Sequence, residues 1–293
     1  MRGLLCGLML AAAAAGAARA DEAPFGYVYT TDPLPKGHWE YEQWNTLRTG
    51  KAQGYYTAFD LRNELEYGFT ENFTGAFYLN SSYLNMKGVP DPSDTTTLWH
   101  DRGAFDVNGA SLEMRYRVLN PYKDPIGLSL YVEPEISARS REEGNDEIER
   151  AIELKLIFQK NFFEDRLVLA LNSMLESEWE REDGVPEKKF TLEQTAGASW
   201  RFARGWAAGL EFRNARTYEN QTFGRESESA WFLGPNVHYG KIGWWATFTI
   251  LPQIGGHPRD LGLDANGSEV RDASRALGHF EKLEARLRFG INF

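Results

Sequence analysis

Charged side chains recur at every second position along several stretches of the sequence. In residues 60–66 the even positions are all charged: Asp60, Arg62, Glu64 and Glu66. Successive side chains of a β-strand point to opposite faces, so a strand here places these four charges on one face. Such a face binds or repels ions and polar solutes, or it forms internal ion pairs. The pattern therefore predicts the lining of a polar interior.

The histidines offer a weaker case for acid–base chemistry. His100 precedes Asp101 in "TLWHDRGAF", and such a pair at an outer rim would suit a lipid hydrolase. The sequence contains no Gly-x-Ser-x-Gly elbow and no His-Glu-x-x-His helix. Residues 264–269, "DANGSE", begin like a calcium loop but lack its remaining ligands. We therefore expect no enzymatic activity, no cofactor and no bound metal, and a rim hydrolase is the weakest alternative.

The faces opposite the charges are apolar, which assigns these stretches to long β-strands. Residues 55–69, 126–139 and 148–159 alternate apolar and polar side chains, and Asn63 interrupts one apolar row. Such runs are longer than most strands of globular sheets and match what a tilted strand needs to cross a bilayer. The sequence predicts about twelve strands, near residues 38–48, 55–69, 73–84, 109–119, 126–139, 147–159, 166–179, 190–202, 206–217, 229–239, 243–251 and 279–293.

The connections between these runs alternate between tight turns and long polar loops. Residues 70–72 and 203–205 are short links, whereas residues 85–108 and 252–278 are long ones. Bacterial outer-membrane barrels have short periplasmic turns and longer outer loops. A soluble barrel would instead bury the charged face in a dry core, at a high cost in free energy. We therefore predict an all-β fold, a closed antiparallel transmembrane β-barrel of about 12 strands with both termini in the periplasm.

The charged faces would line the lumen of this barrel. The predicted lumen residues are Asp60, Arg62, Glu64, Glu66, Glu113, Arg115, Arg117, Glu133, Glu135, Glu153, Lys155, Glu211, Arg213, Glu284, Arg286 and Arg288. For twelve tilted strands the backbone lies roughly 12 Å from the axis, so long side chains fill much of the radius. If the charges pair across the lumen, they form a closed polar plug. If acids and bases separate into facing stripes, a narrow passage remains, and the sequence leaves both arrangements open.

The first twenty residues have the features of a secretory signal peptide. A positive start, an apolar stretch and small residues near position 19 favour cleavage before Asp21. Processing would remove Cys6, the single cysteine, and leave 30 Lys and Arg against 42 Asp and Glu, a net charge of −12. An acidic chain of this kind is a poor ligand for nucleic acid. The predicted organisation is a signal peptide at 1–20, a periplasmic N-terminal lead-in at 21–37 and the barrel at 38–293.

The chain ends with apolar residues at alternate positions: Leu287, Phe289, Ile291 and Phe293. This row resembles the sorting signal of Gram-negative outer-membrane barrels. The resemblance implies that the barrel-assembly machinery recognises the last strand, which must also pair with the first. Residues 34–40, "LPKGHWE", are similar to the Leu-Pro-x-Gly-x-Trp-Glu segment of a poorly characterised group of proteobacterial outer-membrane barrels, and that resemblance implies no activity.

Together these features favour a channel. We expect a small porin-like channel in the cell outer membrane that passes polar solutes by passive diffusion, with the loops at 85–108 and 252–278 as gates. Its expected partners are outer-membrane lipid, lipopolysaccharide, the barrel-assembly machinery and small polar solutes, and not nucleic acid. A non-conducting structural or lipopolysaccharide-binding barrel is the alternative from another functional class.

Overall fold

Long β-strands make up the architecture of the protein. The computed structural model describes residues 24–91, 97–182, 185–219, 223, 226–257, 260–263, 269–271 and 275–293. Its strands are β1 Trp39–Thr49, β2 Tyr55–Gly68, β3 Phe73–Lys87, β4 Arg102–Leu119, β5 Gly127–Arg139, β6 Asp146–Phe162, β7 Leu167–Glu182, β8 Val185–Ala203, β9 Trp206–Glu219, β10 Glu226–Lys241, β11 Trp244–His257, β12 Asp260–Leu263, β13 Glu269–Arg271 and β14 Leu283–Asn292. The predicted signal peptide and most of "DANGSE" lie outside the described residues. In the described part, no helix has the length and apolar character needed to span a bilayer.

Twelve of the described strands close into one antiparallel barrel, and β12 and β13 form a separate hairpin. Wall strands that follow one another in sequence pair with each other. β14, which comes after the small hairpin in sequence, pairs with β11. β14 also pairs with β1, from Glu40 opposite Asn292 to Thr49 opposite Leu283. The first and last strands of the barrel thus close the ring. This arrangement confirms the predicted closed antiparallel β-barrel of about 12 strands.

The strand β4 begins earlier than the sequence pattern predicted. We expected a strand from residue 109 after a long loop, but β4 extends from Arg102. The register between β3 and β4 shifts where Asn108 is an extra residue. This β-bulge reverses the parity of the outward positions, which are odd before it, as at Val107, and even after it, as at Leu112. The reversal hides the alternation in the sequence, because the part of β4 before Asn108 is by itself too short to indicate a membrane strand.

The last strand is shorter at its outer end than predicted. β14 begins at Leu283, whereas the predicted strand begins at residue 279. The backbone N–H groups of Gly278 and His279 donate to the Glu228 carboxylate at 3.0 and 2.9 Å. These bonds turn the chain before β14 inward, over the outer mouth of the barrel. The sequence alternation continues through this stretch, but the backbone leaves the wall.

The outer face of the barrel is apolar and the inner face is polar. Large apolar side chains such as Leu65 and Phe77 are exposed on the outside, while Glu64 and Glu66 of β2 and Tyr78 of β3 are buried inside. Asn63, which interrupts one outward row, accepts a hydrogen bond from the Tyr41 hydroxyl at 2.7 Å. A soluble barrel has the opposite arrangement, so the surface fits a lipid environment.

Candidate functional site

The sixteen charged residues predicted for the lumen lie on the inner faces of their strands. Several of their side chains join separate parts of the wall. Arg62 of β2 pairs with Glu133 of β5, and Arg213 of β9 pairs with Glu284 of β14 at 2.6 Å. Other ion pairs are Arg48–Asp60, Arg141–Asp60, Arg115–Glu66, Lys155–Glu153 and Arg288–Glu42. Acids and bases therefore pair within the lumen, and each of these pairs joins positions on one side of the ring.

Other predicted lumen residues bind polar groups of neighbouring strands and turns. The contacts are Trp44 Nε1 to Glu64 at 3.1 Å, the Tyr78 hydroxyl to Glu113 at 2.5 Å, and the Asn80 amide to Glu135 at 3.1 Å. Arg117 lies at the rim formed by the short turns, where it donates to the Glu71 carbonyl at 2.9 Å and to Asn72 at 3.1 Å. Arg117 thus lines the entrance of the barrel and not its middle.

Residues 24–34, called the N-terminal segment below, run through the lumen. The Leu34 N–H donates to Thr74 Oγ1 at 3.2 Å, at the start of β3 and beside the short turn that precedes it. Further inside, the Gly26 N–H donates to Glu211 Oε1 at 2.8 Å, near the middle of β9. The lead-in that we expected in the periplasm therefore lies inside the barrel over these residues. It does so because its backbone finds polar partners on the wall while its apolar side chains are fully buried.

Side chains of the wall bind the backbone of the N-terminal segment. The two oxygens of Glu211 accept the N–H groups of Gly26 and Tyr27 at 2.8 and 2.7 Å. The Asn172 amide of β7 binds both the N–H and the carbonyl of Tyr29, at 2.7 and 3.0 Å. Further contacts join Gln159 to the Thr31 N–H at 2.7 Å, Ser129 to the Thr31 carbonyl at 3.2 Å, and Asn236 to the Pro24 carbonyl at 3.2 Å. The segment is held by side chains and adds no strand to the ring.

Two tyrosines of the N-terminal segment cover cations of the lumen. The Tyr27 ring lies 3.9 Å from the Arg286 guanidinium, and the Tyr29 ring lies 4.2 Å from the Lys155 ammonium. Burial, opposed by the Lys155 charge, raises the pKa of the Tyr29 phenol to about 12, so this ring is neutral at physiological pH. Arg286 also donates to the Gly26 carbonyl at 3.1 Å. At these two positions the segment thus covers cations of the wall with neutral aromatic rings.

Glycines give the segment and the wall their close fit. A Cβ added to Gly197 of β8 would lie 2.6 Å from the Phe25 ring. A Cβ added to Gly26 would lie 2.5 Å from Oγ1 and 2.9 Å from Cβ of Thr249 on β11. Both distances are far below van der Waals contact, so even one added methyl group would push the segment away from the wall.

Parts of two outer loops cover the other end of the lumen. The Lys51 ammonium lies 4.8 Å from the Tyr56 ring and 5.6 Å from the Trp99 ring. It also donates to the carbonyls of Gly278 and His279 at 2.9 and 2.8 Å. The loop after β3 and the chain before β14 therefore meet around one buried lysine. Both belong to the loops that the sequence analysis predicted as gates.

A small cavity of about 10 Å³ remains beside three carboxylates, Glu42, Glu64 and Glu66. Their oxygens lie within 4.8 Å of one another, which is suitable donor chemistry for a cation. Arg115 and Arg288 line the same cavity, and Arg288 pairs with Glu42 at 2.6 Å. The cavity has room for about one water molecule, and the two arginines supply the positive charge at this place.

The candidate acid–base pair of the outer loop has a structural contact. His100 is exposed, and Asp101 accepts the Gly88 N–H at 2.9 Å. This bond fixes the loop at the point where it leaves β3. Asp101 is therefore engaged by the backbone of its own loop, and the pair gives no support to a hydrolase.

The wall residues that hold the N-terminal segment and that the sequence analysis missed are uncharged. Asn172, Gln159, Ser129 and Asn236 hold the N-terminal segment, yet only charged residues were selected as lumen candidates. All four are buried within strands that alternate inward and outward positions. That alternation is the one signal that could have found them. Their common partner, an extended segment without periodicity, gives no signal of its own.

The fold is shared with solved outer-membrane proteins. A search of the curated proteins gives no significant match. The COG4313 outer membrane channel from Pseudomonas putida F1 is 10% identical, with a TM-score of 0.59 over 90% of this chain and 98% of that one. The KdgM porin is 11% identical, with a TM-score of 0.47 over 87% of this chain and 98% of that one. Residues 17–293 match one family model, and the chain therefore belongs to DUF6662, a family of unknown function.

Proposed function

We propose that the protein is an outer-membrane channel for small polar solutes and that the N-terminal segment closes its lumen. The observation that supports this proposal most is that the segment takes no part in the strand pairing that closes the wall. The ring closes through the pairing of β14 with β1, whereas the segment is held by side-chain hydrogen bonds from several strands. Withdrawal of the segment would therefore leave the ring intact around a polar passage.

The proposed location in the outer membrane rests on the surface of the barrel and on its end. The outward face is apolar on every side of the ring, as a lipid environment requires. Leu287 and Ile291 of β14, and Phe293 directly after it, are exposed on this face. We propose that this row serves as the assembly signal that its sequence resembles. Lipid is then the partner of the outer face, and export requires the signal peptide at 1–20.

The lining of the lumen supports polar solutes as the cargo. Carboxylates, cations, amides and hydroxyls cover the inner face, and many of them are buried. A solute that enters must exchange its hydrogen bonds with water for bonds to these groups, which apolar molecules cannot do. The lining contains charges of both signs, so we propose passage of small polar molecules without a strict requirement for one sign of charge.

Conductance of single molecules in planar lipid bilayers tests this proposal. The intact protein should show rare, brief openings, and a variant that lacks residues 24–34 should show longer and larger ones. A shift in electrophoretic mobility on heating verifies that each variant is a folded barrel. A folded variant that lacks the segment and still gives no current would contradict the channel.

One observation favours the second candidate, a non-conducting barrel. The pairs Arg62–Glu133 and Arg213–Glu284 join separate strands of the wall, and they would remain after the segment had left. Arg150 is exposed on the outer face opposite Trp179 of β7, where a guanidinium suits a lipopolysaccharide phosphate. Baseline conductance together with lipopolysaccharide that copurifies with the intact protein but not with Arg150→Ala would support this candidate.

A further inference from the structure

The lumen wall recognises polypeptide backbone. Among the described contacts, wall side chains bond five backbone N–H groups and five carbonyls of the N-terminal segment. The N–H groups are those of Gly26, Tyr27, Tyr29, Thr31 and Leu34, and the carbonyls are those of Pro24, Phe25, Gly26, Tyr29 and Thr31. Backbone groups are common to all peptides. These contacts use no side chain of the segment, although only a small residue fits at the position of Gly26.

The spacing of these contacts fits an extended chain. Tyr27, Tyr29 and Thr31 are two positions apart, and their N–H groups bind β9, β7 and β6 in turn. Alternate residues of an extended chain point the same way, so one wall can bind every second N–H. The contact at Asn172 is the most specific, because its amide binds the N–H and the carbonyl of the same residue. The carboxylate of Glu211 and the side-chain amides of Asn172 and Gln159 thus form a row of binding groups for an extended peptide, called the track below.

The side chains of the segment show which peptides fit best. Tyr27 and Tyr29 place their rings against Arg286 and Lys155, two cations of the wall. An aromatic face stabilises a cation that lies over it, and more strongly where water is excluded. A peptide with aromatic residues two positions apart would keep both contacts.

We propose that the vacated lumen binds extended peptides with aromatic residues two positions apart, along the track formed by Glu211, Asn172 and Gln159. The N-terminal segment is then an internal competitor that occupies the peptide site in the closed state. The inference deepens the proposed channel function and rests on it, because the segment must leave before a peptide enters. It names one class of polar solute for which the lumen is already shaped.

Calorimetric titration of the full-length protein in detergent tests the inference. The probe is a synthetic peptide with blocked ends and the sequence of residues 24–34, PFGYVYTTDPL. The protein background is Gly26→Val, in which the new side chain collides with Thr249 and displaces the segment. Gly26→Ala, a smaller change at the same position that also leaves the wall unaltered, is the second background in case the first does not fold. We expect saturable binding of one peptide to either background and at least tenfold weaker binding to the unaltered protein.

Variants of the track and of the peptide test its specificity. Asn172→Ala in the open background removes two hydrogen bonds and should weaken binding by about tenfold. Glu180→Gln, a change at the Glu180–Lys189 pair near the outer end of β7, should leave binding unchanged. A peptide with serine in place of both tyrosines should bind more weakly. Absence of binding to both folded backgrounds, or equal binding by the Asn172→Ala and Glu180→Gln variants, would overturn the inference. Bilayer conductance is measured separately, so binding without current would contradict the channel alone.

Discussion

Glu211 accepts the backbone N–H of Tyr27 at 2.7 Å, although the two residues are 184 positions apart in sequence. The same carboxylate also accepts hydrogen bonds from the Gly26 N–H, the Asn236 amide and the Thr249 hydroxyl. A buried carboxylate requires compensation, and here neutral donors provide it. Two of the four donors belong to the N-terminal segment. The segment and the wall therefore stabilise each other at this residue.

Replacement of the anchoring carboxylate should open the channel. Glu211→Gln keeps the size of the side chain, but its amide offers one acceptor oxygen in place of two. The loss of one charge-assisted hydrogen bond to the segment costs about 2 kcal/mol, so the open fraction should rise by a factor on the order of ten or more. Single-channel recording measures this fraction. Glu180→Gln removes a lumen carboxylate at the Lys189 pair and serves as the control; an equal effect of both variants would contradict the role of Glu211.

A methyl group on one wall glycine should have the same consequence. In Gly197→Ala the new Cβ would lie 2.6 Å from the Phe25 ring, so the ring must move out of its place. We expect faster cleavage of the N-terminal segment by a protease added to the folded barrel. Gly103→Ala is the matched control, because nothing lies within 4 Å of a Cβ at that position. Identical cleavage rates for the two variants would show that the segment does not depend on this fit.

The closed state should be favoured at acidic pH. Burial raises the pKa of Asp32, although hydrogen bonds from Gln159 and Tyr122 and the charge of Arg117 oppose the shift. A raised pKa means that the seated segment binds a proton more readily than the displaced one. The stabilisation of the closed state by protonation of Asp32 is complete below the ordinary Asp pKa of about 3.9, and it is lost as the pH rises through the raised pKa.

The pH dependence of the open fraction, recorded in bilayers, measures this linkage. Other lumen carboxylates titrate in the same range, so the relevant quantity is the difference between the unaltered protein and Asp32→Asn. As the pH falls towards about 4, the open fraction of the unaltered protein should decrease by more than the open fraction of the Asp32→Asn variant. Parallel pH profiles for the two proteins would show that Asp32 does not contribute to the pH dependence of the open fraction.

The terminal aromatic side chain should matter for assembly. Phe293 is exposed on the outer face, and its backbone exchanges two hydrogen bonds with Trp39 at 2.9 and 3.1 Å. Phe293→Ala keeps the backbone pair and removes only the ring that an assembly factor would contact. We expect less folded barrel in the outer-membrane fraction, measured by the heat-dependent shift in mobility. Phe202→Ala, at another exposed aromatic of the same face, should assemble normally; normal assembly of both would argue against the signal.

The barrel could be predicted from sequence because lipid and water impose a strict alternation. In β2 a mainly apolar row, interrupted at Asn63, alternates with the charged row of residues 60–66, and the structure places these rows outside and inside. At β4 the prediction failed over residues 102–108, because the extra residue Asn108 reverses the alternation. A single irregularity of the backbone is therefore enough to hide part of a strand.

The N-terminal segment could not be located from sequence. Its backbone forms the contacts, and its partners are distributed over several strands; Thr31 and Gln159 are 128 positions apart. The pairing of the lumen charges was undecided for the same reason. Arg62 and Glu133 meet because the ring brings β2 and β5 to one lumen, and no spacing in the sequence encodes that proximity.

The central claim is that the N-terminal segment closes the lumen, and a reversible lock tests it most directly. A Cβ on Gly26 would lie 2.9 Å from the Thr249 Cβ, so a small shift of the segment gives the 3.5–4.5 Å typical of a disulfide. The variant Gly26→Cys/Thr249→Cys contains no other cysteine once Cys6 has left with the signal peptide. Single-channel current is recorded from the same bilayer before and after a reductant is added. The account predicts no openings from the oxidised protein and repeated openings after reduction; the same current in both states would contradict it.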